Sequence, residues 1–81
     1  MNKTATLSKN LQLLIFAEKD EDGVYVVECP LFEGCYSHGK TLDDAIKNIR
    51  QVIRMILGDS KNRNILKSYH PQELSLHTIT L

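Results

Sequence analysis

The sequence predicts an α+β domain of two layers, β-β-β-α-β in order, with a three-stranded antiparallel meander and a C-terminal strand in one sheet under one helix. Three observations predict it. Asp22-Gly23 separates two short apolar runs, Pro30 and Gly34 break the chain again before a third, and residues 42–57 carry apolar side chains at spacings of three and four.

The first strand lies in "LQLLIFAEKD", residues 11–20, where leucines at 11, 13 and 14 precede Ile15 and Phe16, which fits a strand covered on at least one face. "KDEDG" then turns the chain, because a glycine after Asp reaches positive φ without steric cost. "VYVVEC", residues 24–29, returns as the second strand and stops at Pro30, which has no amide to donate and restricts Cys29 before it. "CYSHG", residues 35–39, is the third strand, with Cys35 and Ser37 on one face and Tyr36 and His38 on the other.

Thr41 opens the helix, since Asp44 three residues later resembles a capping box and two acids in the first turn suit the helix dipole. Leu42, Ala45, Ile46, Ile49, Val52, Ile53, Ile56 and Leu57 form its buried stripe, and Gly58 is placed to end it. Residues 59–72 read as a loop or short helix. "ELSLHTITL", residues 73–81, alternates imperfectly and reads as a fourth strand, returned to the sheet by a right-handed crossover. The other face of the sheet, or an open strand edge, is left for a further subunit or partner.

The 81 residues make a single domain, 1–81, with residues 1–9 as a flexible N-terminus. A domain this small buries only about 60% of its unfolded surface, which favours a homo-oligomer. No apolar run approaches the ~20 residues that span a bilayer, and "MNKTATLSKN" lacks the apolar stretch of a signal peptide. The expectation is a cytoplasmic protein with no membrane partner, in which Cys29 and Cys35 are free thiols.

Net charge is zero but unevenly spread: residues 1–44 hold eight acids and four Lys or Arg, whereas residues 45–81 hold two acids and six. The acidic front half is a poor surface for phosphate backbones and a suitable one for a basic protein.

The span "DEDGVYVVECPLFEGCYSHGKTLDDAIKNI", from Asp20 to Ile49, resembles the signature of HicB-type antitoxin domains. The shared order is an acidic D-x-D-G, a Y-x-V strand, a proline, a G-C pair, a glycine turn, and T-x-x-D/E-A opening a helix. The resemblance implies the family's reduced ribonuclease-H-like fold. It also implies a bacterial antitoxin that binds and neutralises a HicA-type toxin, a small basic ribonuclease acting on messenger RNA, by occluding the toxin's active site. Many members of the family continue into a C-terminal helix-turn-helix or ribbon-helix-helix segment. The sequence stops at Leu81, so no direct DNA binding is expected.

Other chemistries are weaker readings. A zinc set can be drawn from Cys29, Cys35, His38 and His70, yet it lacks the paired C-x-x-C or H-x-x-x-H spacing of structural zinc, and small buried thiols account for the cysteines. A Cys–His nucleophile has no third group to orient the base. A two-metal nuclease would need carboxylates on rigid elements. The available acids (Glu18, Asp20, Glu21, Asp22, Glu28 and Glu33) lie mostly in or beside turns. The cations of "KNRNILK" with Arg50 and Arg54 have only Tyr69 nearby as a stacking partner for RNA. Neither cofactor, metal nor catalytic residue is expected. Partner contact is assigned to the hairpin Asp20, Glu21 and Asp22 and to Glu28 and Glu33. A stand-alone oligomeric binding module and a residual metal-dependent nuclease of ribonuclease-H type remain open beside the antitoxin reading.

Overall fold

The structure, a computed structural model, describes residues 12–71 and 73–81; the expected flexible segment 1–9 and the first residue of the expected first strand lie outside them. Three strands, β1 (Phe16–Lys19), β2 (Tyr25–Glu28) and β3 (Tyr36–Gly39), form an antiparallel sheet in the order β1-β2-β3. Two helices follow, α1 (Leu42–Ile56) and α2 (Ser60–Lys67). The architecture is α+β, with α1 laid over the face of β2 and β3.

The register makes one face the core. Ala17, Val27 and Ser37 stand opposite one another across the three strands, and Val27 is fully buried. Cys29, Phe32, Cys35, Ala45 and Ile49 complete the buried cluster. Leu13, Ile15, Ile46, Val52, Ile53, Ile56 and Leu57 pack around it. The predicted helical stripe is therefore the packed stripe, except that Leu42 in the first turn is 43% exposed.

β1 is shorter than expected, and Pro30 explains it. With Phe16 opposite Glu28, residues preceding Phe16 run toward Cys29 and Pro30, and proline has no amide for the ladder. Leu13 and Ile15 still reach the core, but Phe16–Lys19 is exposed throughout, because α1 lies over the other two strands.

The first hairpin is built by Asp20. Its Oδ1 accepts hydrogen bonds from the amides of Asp22 and Val24, both at 2.9 Å, while its own amide donates to the Val24 carbonyl at 2.8 Å. Gly23 closes the turn at φ 84°, a conformation that costs an L side chain roughly 1–2 kcal/mol.

Thr41 caps α1 as the sequence predicts, its hydroxyl accepting from the Asp44 amide at 3.0 Å. The C-terminal end falls just before Gly58, as expected, but Gly58 does not take a positive φ. Leu57 is the cap, and the last carbonyls are taken from α2: Asn62 Nδ2 donates to Ile56 O at 3.0 Å and Arg63 Nη1 to Leu57 O at 2.8 Å. With those orphan acceptors satisfied by side chains, no left-handed glycine is required. The stretch expected as loop or short helix thus resolves into α2, capped by Asp59.

The expected fourth strand is not formed in the single chain. Residues 73–81 carry neither helix nor strand, and the sheet of the described residues has three strands, so the predicted crossover has no ladder to join. The physical reason lies in the side chains. Leu74, Leu76, Ile79 and Leu81 are 53%, 79%, 81% and 111% exposed, so none of the described residues covers the apolar pattern that would hold a strand in place.

Candidate protein-binding surface

Because side chains alternate along a strand, the residues not aimed at α1 share the outer face of the sheet. Phe16 and Glu18 of β1, Val26 and Glu28 of β2, and Tyr36 and His38 of β3 stand there, paired as Phe16–Glu28–Tyr36 and Glu18–Val26–His38. All six are exposed, with Tyr36 at 64%. The result is an open face on which Phe16, Val26 and Tyr36 alternate with Glu28, Glu18 and His38.

The five acids expected to contact a partner are all exposed, and they fall into two groups. Asp20, Glu21 and Asp22 occupy the turn between β1 and β2, whereas Glu28 and Glu33 lie at the other end of β2 and in the turn that follows it. Glu18, which was not among them, sits between the groups on the outer face. Its signal in the sequence was its position two residues after Phe16, which fixes the face they share. Asp20 differs from its neighbours, since its carboxylate is engaged with the Asp22 and Val24 amides, leaving Glu21 and Asp22 as the carboxylates of the turn without that duty.

The uneven charge of the sequence leaves most of the cations on the two helices. Exposed Lys47, Arg50 and Arg54 lie on α1, which covers the inner face of β2 and β3, and Lys61, Arg63 and Lys67 lie on α2, although Asp43, Asp44 and Asp59 are exposed on the same helices and their caps.

The zinc and Cys–His sets are not brought together. Cys29 and Cys35 point into the core at 0% and 1% exposure, while His38 stands on the opposite face of β3. Burial, with the neighbouring Cys29 as the next cause, pushes the Cys35 thiol above its ordinary pKa, which opposes thiolate chemistry. Among the described residues no three His, Cys, Asp or Glu side chains form a group that could hold a metal ion. Among them too, no helix is long and apolar enough to cross a membrane.

β3 and α1 are held close at one point. Gly39 lies against the start of α1, where an added Cβ would come within 2.5 Å of the Ala45 backbone nitrogen, and Asn48 Nδ2 donates to the His38 carbonyl at 2.8 Å. This contact fixes how β3, and with it Tyr36 and His38, is presented.

Residues 13–76 match the family model described as HicB_like antitoxin of bacterial toxin-antitoxin system. UPF0150 protein Ta0767 of Thermoplasma acidophilum is 34% identical over 83% of this chain and 99% of its own length. UPF0150 protein ssr1258 of Synechocystis is 44% identical over 57% of this chain and 67% of its own, and a UPF0150 protein of Helicobacter pylori is 45% identical over 52% and 57%. Relatives thus occur in archaea as well as bacteria. No solved structure gives a significant match. With the family model covering all three strands and both helices, the chain belongs to the HicB-like antitoxin family.

Proposed function

We propose that the protein is an antitoxin that binds a HicA-type messenger-RNA-cleaving toxin and neutralises it by covering the toxin's active site, with no catalysis of its own. The family match over residues 13–76 carries the reading. The acidic sheet side supports it, because a ribonuclease that grips phosphate backbones is basic and is attracted to the carboxylates of Glu21, Asp22, Glu28 and Glu33, with Glu18 between them. Asp20 acts by shaping the turn that presents Glu21 and Asp22. The protein works in the cytoplasm, where the toxin meets its substrate, as a homo-oligomer.

The test is a calorimetric titration of the full chain with its purified toxin, run beside an assay of messenger-RNA cleavage. Stoichiometric binding that abolishes cleavage is the expected result. RNA cleavage by the chain alone in Mg²⁺ or Mn²⁺, lost on Glu28→Gln, would overturn it in favour of a nuclease.

A further inference from the structure

Cys29 and Cys35 form a pair that the binding surface does not use. The ladder of β2 and β3 ends with Glu28 opposite Tyr36, and Cys29 and Cys35 continue its register, the Cys29 amide donating to the Cys35 carbonyl at 2.9 Å. Opposite residues joined in this way have Cα atoms about 5.5 Å apart, inside the roughly 4.4–6.8 Å that a disulfide spans. Both are free thiols on the core side of the sheet, and the Cys29 side chain acts directly on the Cys35 thiol. Among the described residues no third His, Cys, Asp or Glu joins them in a group able to hold a metal ion, so the chemistry open to the pair is that of two sulfurs.

Only the turn 30–34 separates the two cysteines along the chain, and that turn is also part of their cover. Pro30, Glu33 and Gly34 are exposed, whereas Phe32 is tucked into the core beside the thiols. A hydrogen bond of 3.3 Å from the Phe32 amide to the Cys29 carbonyl ties the turn, and Gly34 closes it at φ 71°. A surface turn of this kind opens more readily than the packed layer of α1 on β2 and β3.

We propose that Cys29 and Cys35 are a redox pair, closed to a disulfide by a peroxide and reopened by a dithiol reductant, that locks the turn 30–34. When the turn lifts Phe32 away, one thiol attacks a peroxide oxygen as its thiolate. The O–O bond breaks, water leaves and the sulfur becomes a sulfenic acid. The second thiol attacks that sulfur, so that the S–S bond forms, the S–O bond breaks and a second water departs. Two electrons pass from the pair to one peroxide, and both thiol protons end in the waters. While the turn is shut, burial keeps the Cys35 thiol protonated and unreactive, so oxidation waits on opening. Once formed, the disulfide ties the base of the turn and holds Glu28 beside it and Glu33 within it in one arrangement. The inference is independent of the toxin.

The test treats the reduced full chain with hydrogen peroxide under native conditions for hours and then counts thiols in urea. Both thiols are expected to be lost, with the mass of two hydrogen atoms, and to return with dithiothreitol, while a peptide map of the oxidised chain shows Cys29 joined to Cys35. Amide hydrogen exchange in the turn 31–34 should slow roughly 10-fold or more on oxidation, with the amide spectrum of α1 kept. Three results overturn the proposal: two thiols that survive peroxide able to oxidise them in urea, sulfur acids that dithiothreitol does not restore, or cross-links that join two chains. A Cys29–Cys35 disulfide that leaves exchange in the turn unchanged overturns the lock. None of these measurements needs a variant.

Discussion

Cys29 and Cys35 face each other across β2 and β3: the Cys29 amide donates to the Cys35 carbonyl at 2.9 Å, and both thiols are sealed in the core beside Val27 and Phe32. They are packing residues where the ladder meets the turn from Pro30 to Gly34. Thiol-specific reagents should label neither in the native protein on the time scale of minutes, and both after unfolding in urea. Labelling of native Cys35 at the rate of a free thiol would contradict the packing described.

The raised pKa of Cys35 also sets a pH dependence. Its folded value exceeds its unfolded one, so the unfolded chain ionises first and gains from it. The stability that the buried neutral thiol contributes is intact below the ordinary thiol pKa and is lost as pH climbs from there toward the raised value. Urea unfolding at a series of alkaline pH values should show that decline, and Cys35→Ala should flatten it.

Asp20 and its neighbours Glu21 and Asp22 make a pair of opposite predictions. Asp20→Ala removes the acceptor of two backbone amides and should cost about 1–2 kcal/mol in denaturant unfolding. Glu21→Lys with Asp22→Lys should change stability by no more than about 0.5 kcal/mol and weaken toxin binding. Equal toxin affinity for that double variant and the parent chain would remove the hairpin from the interface.

Gly39→Ala should destabilise the fold by about 1–3 kcal/mol, since the new Cβ meets the backbone of Ala45 and the start of α1 must shift. Thr41→Ala, two residues on, loses only the cap to Asp44 and should cost about 0.5–2 kcal/mol. Spectra that report the position of β3, followed through Tyr36 and His38 amides, should move for the first variant and stay for the second.

What could be read from the sequence follows from how local the cause is. The hairpin turn, the Thr41 cap and the helical stripe are set by side chains a few residues apart, and the structure has them where spacing puts them. The faces of Cys35, Tyr36, Ser37 and His38 followed from alternation alone. The place of the helix stop followed from Gly58, but its capping did not, because Asn62 and Arg63 reach back from α2, and contacts between elements leave no periodic mark. The fate of residues 73–81 was hidden for a similar reason: alternation says that a segment can be a strand, but not which edge it pairs with. At the surface, composition located the acids, but it did not show that Asp20 is engaged by the Asp22 and Val24 amides in the turn while Glu18 faces outward.

The most direct measurement is affinity capture of the full tagged chain from its native cells, with the mass of what co-elutes and an RNA cleavage assay on the freed partner. The account predicts a small basic protein in stoichiometric amount that cleaves messenger RNA once released and is silenced when the chain is added back. Recovery of the chain alone, or with a partner that has no such activity, would contradict it.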